Sequence, residues 1–368
     1  MLLRHLWLTD FRNYHQVELE LPAGLTAIVG DNGQGKSNLL EAVGYLATLG
    51  SFRGAPVEAL VRHGTSTATV RAEVEREGRE LLIEAELAPR GRNRIQVNRQ
   101  RLHRSRDLLG ALRVSVFAPD DLALVKEGPA ERRRYLDDAL VAAQPRLDGL
   151  RGEVDRVLRQ RNALLRQCGG RLNADTALTL DVWDAKLVAA AEELVRERVG
   201  LLEQLRPALA AGYEHLAGAG DSLSGAGARG AVRATYRSTW LDQGLESALA
   251  AGRADDVRRG MSLVGPHRDD VELAIGGLPA RTHASQGEQR SLALALRLAA
   301  HEVVARLAGS PPVLLLDDVF SELDPHRSRA LLDALGPAQT LLTTAGELPP
   351  LATPERVVRV HDGTVHVV

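Results

Sequence analysis

The chain has 368 residues, 46 basic and 48 acidic side chains, a formal net charge of −2, one cysteine and only 3% aromatic residues. That balance excludes a surface coated in positive charge, so any nucleic-acid site must be a local basic patch or a groove built from two chains, and a lone Cys168 excludes an internal disulfide. No run approaches the ~20 apolar residues needed to span a bilayer, and Arg4, His5, Asp10 and Arg12 stand where a signal-peptide core would be, so a soluble, cytoplasmic protein of about two domains is expected. Only Lys36, Lys126 and Lys186 are lysines, which makes each lysine worth inspecting.

In chain order, alternation predicts strands over 2–8, 17–21 and 25–29, with Pro22 and Gly24 turning the chain between the last two. A Gly-rich loop then opens into a helix whose apolar positions are Leu39, Leu40, Val43 and Leu46. Further strands are expected over 67–75, 80–87, 93–97 and 114–117. From Pro129 the period becomes helical, near 130–143, 146–167 and 182–216, the longest helix being ~35 residues or ~50 Å. Residues 217–230 read as a Gly/Ala/Ser-rich loop. Mixed α/β structure returns with strands over 271–275, 313–318 and 340–344, helices over 288–307 and 325–335, and a terminal hairpin at Asp362-Gly363. The predicted architecture is a discontinuous α/β head over 1–125 and 260–368, interrupted by a mostly helical lobe with a short arm over 126–259.

Gly30, Gly35, Lys36 and Ser37 fit G-x-x-x-x-G-K-[ST] between a buried strand and a helix, which is the context a phosphate-binding loop requires. Its backbone N–H groups, from Gly30 through Asp31, Asn32, Gly33, Gln34 and Gly35 to Asn38, are expected to turn toward phosphate oxygens at a helix N-terminus. Lys36 is the compact charge for the β and γ phosphates, and the Ser37 hydroxyl a Mg²⁺ ligand. The apolar strand ending in Asp317-Asp318 offers Asp317 to Mg²⁺ and Asp318 to the attacking water. The loop Ser285-Gln286-Gly287-Glu288 entering a long helix is either a second anion-binding end or a plain N-cap box. One chain cannot readily place both loops on one nucleotide, whereas two chains related by a twofold axis can.

Between Arg90 and Arg106 there are seven arginines and no acid. Arg92, Arg94, Arg99 and Arg101, on and around a strand and turn, are candidates for contact with the phosphates of duplex DNA, the alternative being solvated arginines guarding an edge strand. Arg132, Arg133 and Arg134 form a second candidate, or simply helix-surface pairs.

The segments GDNGQGKSN, SQGEQR, LLLDDVFSELD and Thr343-Thr344 resemble the Walker A, signature, Walker B and switch segments of ABC-type ATPase heads. Phe11-Arg12-Asn13-Tyr14, Phe117-Ala118-Pro119-Asp120-Asp121-Leu122, Arg132-Arg133-Arg134-Tyr135-Leu136-Asp137 and Gly265-Pro266-His267-Arg268-Asp269-Asp270 narrow the resemblance to the RecF family of DNA repair proteins. The resemblance implies an ABC-ATPase-like head of mixed sheets around a central helix, ATP and Mg²⁺ as cofactors, and an ATP-dependent homodimer on duplex DNA near single-strand gaps. It further implies joint action with RecO and RecR to load RecA, in replication and the SOS response, and a weak DNA-dependent ATPase used as a switch. Thr344 or Thr343 takes the switch position and Asp324 the dimer seam. Asp318 stands in place of the wider group's catalytic Glu, and a threonine in place of its switch His, which predicts slow turnover. An ATPase subunit of a membrane transporter shares the nucleotide motifs and is the alternative; a metabolic kinase has no use for the signature loop.

Overall fold

The computed structural model describes residues 1–217, 231–349 and 351–368. The loop expected over 217–230 therefore lies, beyond Ala217, outside the described residues. The chain divides into two compact units, one of residues 1–121, 211–226 and 290–368, the other of 122–210 and 227–289.

The first unit holds two six-stranded sheets. One is antiparallel, built from β1 (Leu2–Phe11), β2 (Tyr14–Glu20), β4 (Ala68–Arg76), β5 (Arg79–Leu87), β6 (Arg94–Val97) and β7 (Gln100–Arg101), in the order β2-β1-β4-β5-β6-β7. The other contains β3 (Leu25–Val29), β8 (Val114–Phe117), β12 (Val313–Asp317), β13 (Thr340–Thr344), β14 (Arg356–His361) and β15 (Thr364–Val367), in the order β15-β14-β3-β13-β12-β8. All its pairings are parallel except the β14–β15 hairpin.

Helix α1 (Lys36–Thr48) touches strands of both sheets and buries Leu39, Leu40, Val43 and Leu46 in one core with Leu6, Val70, Ile83, Ile28 and Leu315. The continuous apolar runs of β12 and β13, buried at every position, are what a parallel sheet covered on both faces demands. The unit has the expected mixed α/β architecture around a central helix, but residues 260–289, expected in the head, fall in the other unit.

The second unit carries α2 (Pro129–Ala143), α3 (Leu147–Gln167), most of α4 (Ala174–Ala217), α5 (Leu245–Arg259) and a three-stranded sheet of β9 (Val232–Arg237), β10 (Asp270–Ile275) and β11 (Leu278–Pro279). Helix α4 is 44 residues long, about 66 Å, and starts eight residues before the expected 182. Asn173 is its cap: Asn173 Oδ1 accepts the Thr176 N–H at 2.8 Å while Thr176 Oγ1 accepts the Asn173 N–H at 3.0 Å. The strand β9 was not expected in a helical region; its Val, Thr and Tyr pair with β10.

Buried ion pairs fasten this unit. Arg161 is fully buried and reaches Asp184 at 2.6 Å and Asp256 at 2.7 Å, tying α3 to α4 and α5. Arg198 pairs with both oxygens of Asp137, at 2.7 and 2.8 Å.

Helix α6 (Gln286–Ala308) begins in the second unit and continues in the first, and α7 (Pro325–Ala334) completes the first. Among the described residues no helix is long and apolar enough to cross a membrane.

Candidate nucleotide site

The phosphate-loop candidates fall between β3 and α1, where the backbone must curl within six residues. Gly30 is at φ +152°, and a side chain there would meet Val360 O at 2.4 Å; Gly35 is at φ +112°, and a side chain there would meet Asn13 Nδ2 at 2.5 Å. Asp31, Asn32 and Gly33 form the exposed crest between them, with Gln34 half-buried beside it. Lys36 opens α1, and its Nζ donates to Gly30 O and Asp31 O, each at 2.8 Å. Burial lowers the pKa of this ammonium, while Asp318, Asp317 and Asp31 act in the opposite direction.

The neighbouring position carries the strongest geometric result. Ser37 Oγ donates to Asp317 Oδ1 at 2.7 Å, joining residues 280 apart in sequence. Strand β13 lies between β3 and β12, and its register sets Thr343 beside both Asp317 and Ile28. Thr343 Oγ1 donates to Asp317 Oδ1 at 2.8 Å and accepts the N–H of Asp318 at 2.9 Å. Thr344 is also buried, and its hydroxyl accepts the N–H of Gly346 at 3.2 Å. Of the two threonines, Thr343 is the one on the acidic pair.

Asp318 sits at φ +49°, a left-handed backbone unusual for a residue other than glycine, and its Oδ1 is buried with no hydrogen-bond partner. Such a conformation costs about 1–3 kcal/mol, which is tolerated where the surroundings impose it. A strained residue with an unsatisfied carboxylate oxygen is suited to hold a water or another donor.

Residues beyond the phosphate-loop pattern brace it from behind. Asn13 Nδ2 donates to Gln34 O at 2.8 Å, Asn38 Nδ2 donates to Asn13 Oδ1 at 2.8 Å, and buried Tyr14 donates to Gly35 O at 2.9 Å. Gln34 Oε1 accepts the N–H of Asp362 at 2.7 Å, so the terminal hairpin is a further brace. Arg12 makes two hydrogen bonds, at 2.7 and 2.8 Å, to Glu41, a fully buried carboxylate of α1. In the sequence, Phe11-Arg12-Asn13-Tyr14 was a family marker without a local chemical signature; a polar turn at the end of an apolar strand was the only clue.

Ser285, Gln286, Gly287 and Glu288 lie at the start of α6 in the second unit. They form a reciprocal cap, with Glu288 Oε2 accepting the Ser285 N–H at 2.7 Å and Ser285 Oγ accepting the Glu288 N–H at 3.3 Å. Buried Gln289 anchors the loop through Ala280 O and Arg281 O. Asp324 likewise caps α7, accepting the Arg327 N–H at 2.8 Å.

The arginine candidates sit at one edge of the antiparallel sheet. Asn98 and Arg99, at φ +50° and +65°, make the two-residue turn joining β6 to β7. Arg92, Arg94, Arg99 and Arg101 are all exposed, and Arg94 faces Glu86 at 3.9 Å. The second basic candidate turns inward: Arg132 forms a two-bond pair with Asp270, at 2.8 and 3.0 Å, Arg133 donates to Asp269 O at 2.6 Å, and only Arg134 stays exposed, beside Glu131. Asp121 is another inward motif residue, held by Arg297 at 2.7 Å.

The family model described as the RecF/RecN/SMC N terminal domain matches residues 2–347. The chain is 46% identical over 347 residues to the DNA replication and repair protein RecF of Streptomyces avermitilis, covering 93% of this chain and 92% of the relative. It is 46% identical over 355 residues to RecF of Frankia alni, covering 94% and 93%. A solved structure of the recombination mediator protein RecF-ATPrS in the RecFOR pathway superposes with TM-score 0.89 at 28% identity, covering 100% of this chain and 98% of that one. An Smc head bound to the C-winged helix domain of ScpA, at TM-score 0.59 and 19% identity, shares the fold. The transporter alternative has no support in these likenesses. The glycine-curled loop, the paired aspartates and the match along nearly the whole chain lead to one conclusion: this chain belongs to the RecF family of DNA replication and repair proteins.

Proposed function

We propose that this protein is an ATP-dependent, dimerising DNA-binding protein that marks duplex DNA near single-strand gaps and resets itself by slow ATP hydrolysis. The observation that carries the reading is the convergence of Ser37, Asp317, Thr343 and Asp318 beside Lys36, four of them joined by hydrogen bonds of 2.7–2.9 Å. A RecF relative solved with ATP, at 29% identity and TM-score 0.89, supports ATP as the ligand.

Lys36 exchanges its bonds to Gly30 O and Asp31 O for the β and γ phosphates, and the N–H groups from Gly30 to Asn38 complete the cradle. Ser37 and Asp317 are hard oxygen donors in contact, and no cluster of three acidic, His or Cys side chains among the described residues forms a self-sufficient metal cage. That donor set fits Mg²⁺, which binds through one or two protein oxygens, its own waters and substrate phosphates. When held by Ser37 and Asp317, Mg²⁺ would supply positive charge to offset that of the phosphates. Asp318 orients the attacking water and accepts its proton, and Thr343 holds both carboxylates in register. Asp318 is one methylene shorter than Glu, and neither threonine can supply a positive charge, which makes hydrolysis slow enough to time a clamp.

Ser285, Gln286, Gly287 and Glu288 cover the γ-phosphate on a partner chain, so ATP joins two copies. The Arg92, Arg94, Arg99 and Arg101 edge contacts duplex phosphates. The RecFOR pathway named for the solved relative supports RecO and RecR as partners. RecA loading, replication and the SOS response in a cytoplasmic setting complete the proposed role. Sedimentation with and without ATP and Mg²⁺, then with a short duplex, tests the reading. A dimer that requires both ATP and Mg²⁺ and binds duplex is expected; an ATP-indifferent monomer would overturn it.

A further inference from the structure

At the far end of the α3–α4 pair the helical unit gathers arginines that its own carboxylates leave uncompensated. A small apolar cluster of Leu165, Leu180 and Val257, flanked by Leu164 and Leu172, brings together the end of α3, the start of α4 and the end of α5. Gly260, which caps α5 in the left-handed conformation, lies against α3, with a side chain there in van der Waals range of Arg166, 3.6 Å from its Cα. Arg166, Arg171 and Arg259 project from this junction and are exposed.

The nearby acids are already engaged. Asp255 pairs with Arg258 at 2.6 Å, Asp181 and Asp184 with Arg253 at 2.5 and 2.8 Å, and Asp256 with buried Arg161. Arg166, Arg171 and Arg259 have no carboxylate at ion-pair distance among the described residues. Asp175, in the first turn of α4, is an acid of this end with no ion pair to these three arginines. The C-terminal ends of α3 and α5 are stabilised by nearby arginines, which accounts for Arg166 and Arg259 but not for Arg171 on the connecting loop. Three exposed guanidinium groups on three different elements form a surface suited to a chain of phosphates, each fork able to bond an anionic oxygen pair.

We propose that this arginine-bearing end of the helical unit is a second contact for the phosphate backbone of duplex DNA, apart from the β6–β7 edge. It rests on the duplex-binding reading above. The test is fluorescence anisotropy of full-length protein with ATP, Mg²⁺ and a labelled blunt duplex across a salt series. It compares wild type, Arg166→Gln/Arg171→Gln/Arg259→Gln, and a control with equal charge loss, Arg146→Gln/Arg159→Gln/Arg196→Gln.

The triple variant should lower the log–log salt slope by about 2.7 and weaken binding about tenfold or more near physiological salt, with the control close to wild type. Should the triple variant fold poorly, Arg171→Gln alone should lower the slope by about 0.9. An unchanged slope in folded variant protein overturns the proposal. Capture of a poly-glutamate peptide that the variant loses, with the DNA slope unchanged, also overturns it and assigns the surface to an acidic protein segment. Wild type that does not bind duplex at all overturns the parent reading as well.

Discussion

The backbone N–H of Asp318 donates to the hydroxyl of Thr343 at 2.9 Å, and that hydroxyl donates in turn to Asp317 at 2.8 Å. One buried oxygen thereby fixes both acids at the end of β12. Thr343→Val leaves the Asp318 N–H without its partner, at a cost of about 1–3 kcal/mol, and frees the Asp317 carboxylate to rotate. The expected outcome is a Mg²⁺ half-saturation for ATP hydrolysis raised about tenfold, restored by Thr343→Ser. Thr344→Val should move this midpoint little; equal effects of the two substitutions would contradict the assignment.

Lys36→Ala should abolish detectable ATP binding at concentrations that saturate wild type. A charge-assisted bond is worth about 1.5–3 kcal/mol, and this ammonium makes more than one, so a loss of at least ~100-fold is expected in a filter or calorimetric binding assay.

Asp318→Asn separates binding from hydrolysis. The amide fills the same space but cannot take a proton, so turnover should fall by about 10²–10⁴-fold while ATP-dependent dimerisation persists. Phosphate release and sedimentation on the same sample check both halves.

Arg132→Ala should act on stability and not on DNA affinity. It strips Asp270 of a two-bond partner in a partly buried pair, a change that costs about 1.5–3 kcal/mol. A lower unfolding midpoint is expected, with DNA affinity of the folded fraction unchanged at 20 °C.

His301, on α6, is buried against β8 with Nδ1 2.9 Å from Ser115 Oγ, and burial pushes its pKa down to about 4 from the ordinary 6.5. The unfolded chain therefore binds a proton in the window between these values and the folded chain does not, so stability falls as pH drops through it. From this residue alone the protein should be about 2 kcal/mol less stable at pH 5 than at pH 7.5. His301→Gln should shrink that difference by a similar amount in denaturant melts at the two pH values.

The sequence by itself determined the phosphate loop, because a backbone that curls around phosphate needs glycine at set positions, and Gly30, Gly35 and Lys36 declare that need within seven residues. It also determined the strands of both sheets and the helix they enclose, since alternation and 3.6-residue spacing are local properties. The long α4 escaped it in part: Gly169, Gly170 and Asn173 signal a break equally well whether the next helix starts at once or eight residues later.

The tertiary structure alone decided which threonine meets the aspartates, because adjacent residues of a strand face opposite sides and only the β12–β13 register fixes which side is which. It also decided the fate of the arginines. Arg132 and Arg133 look as basic in the sequence as Arg99 and Arg101, yet the former meet Asp270 and Asp269 from more than 130 residues away and the latter remain exposed. Charge is local to a residue, whereas its neutralisation depends on what folding brings beside it.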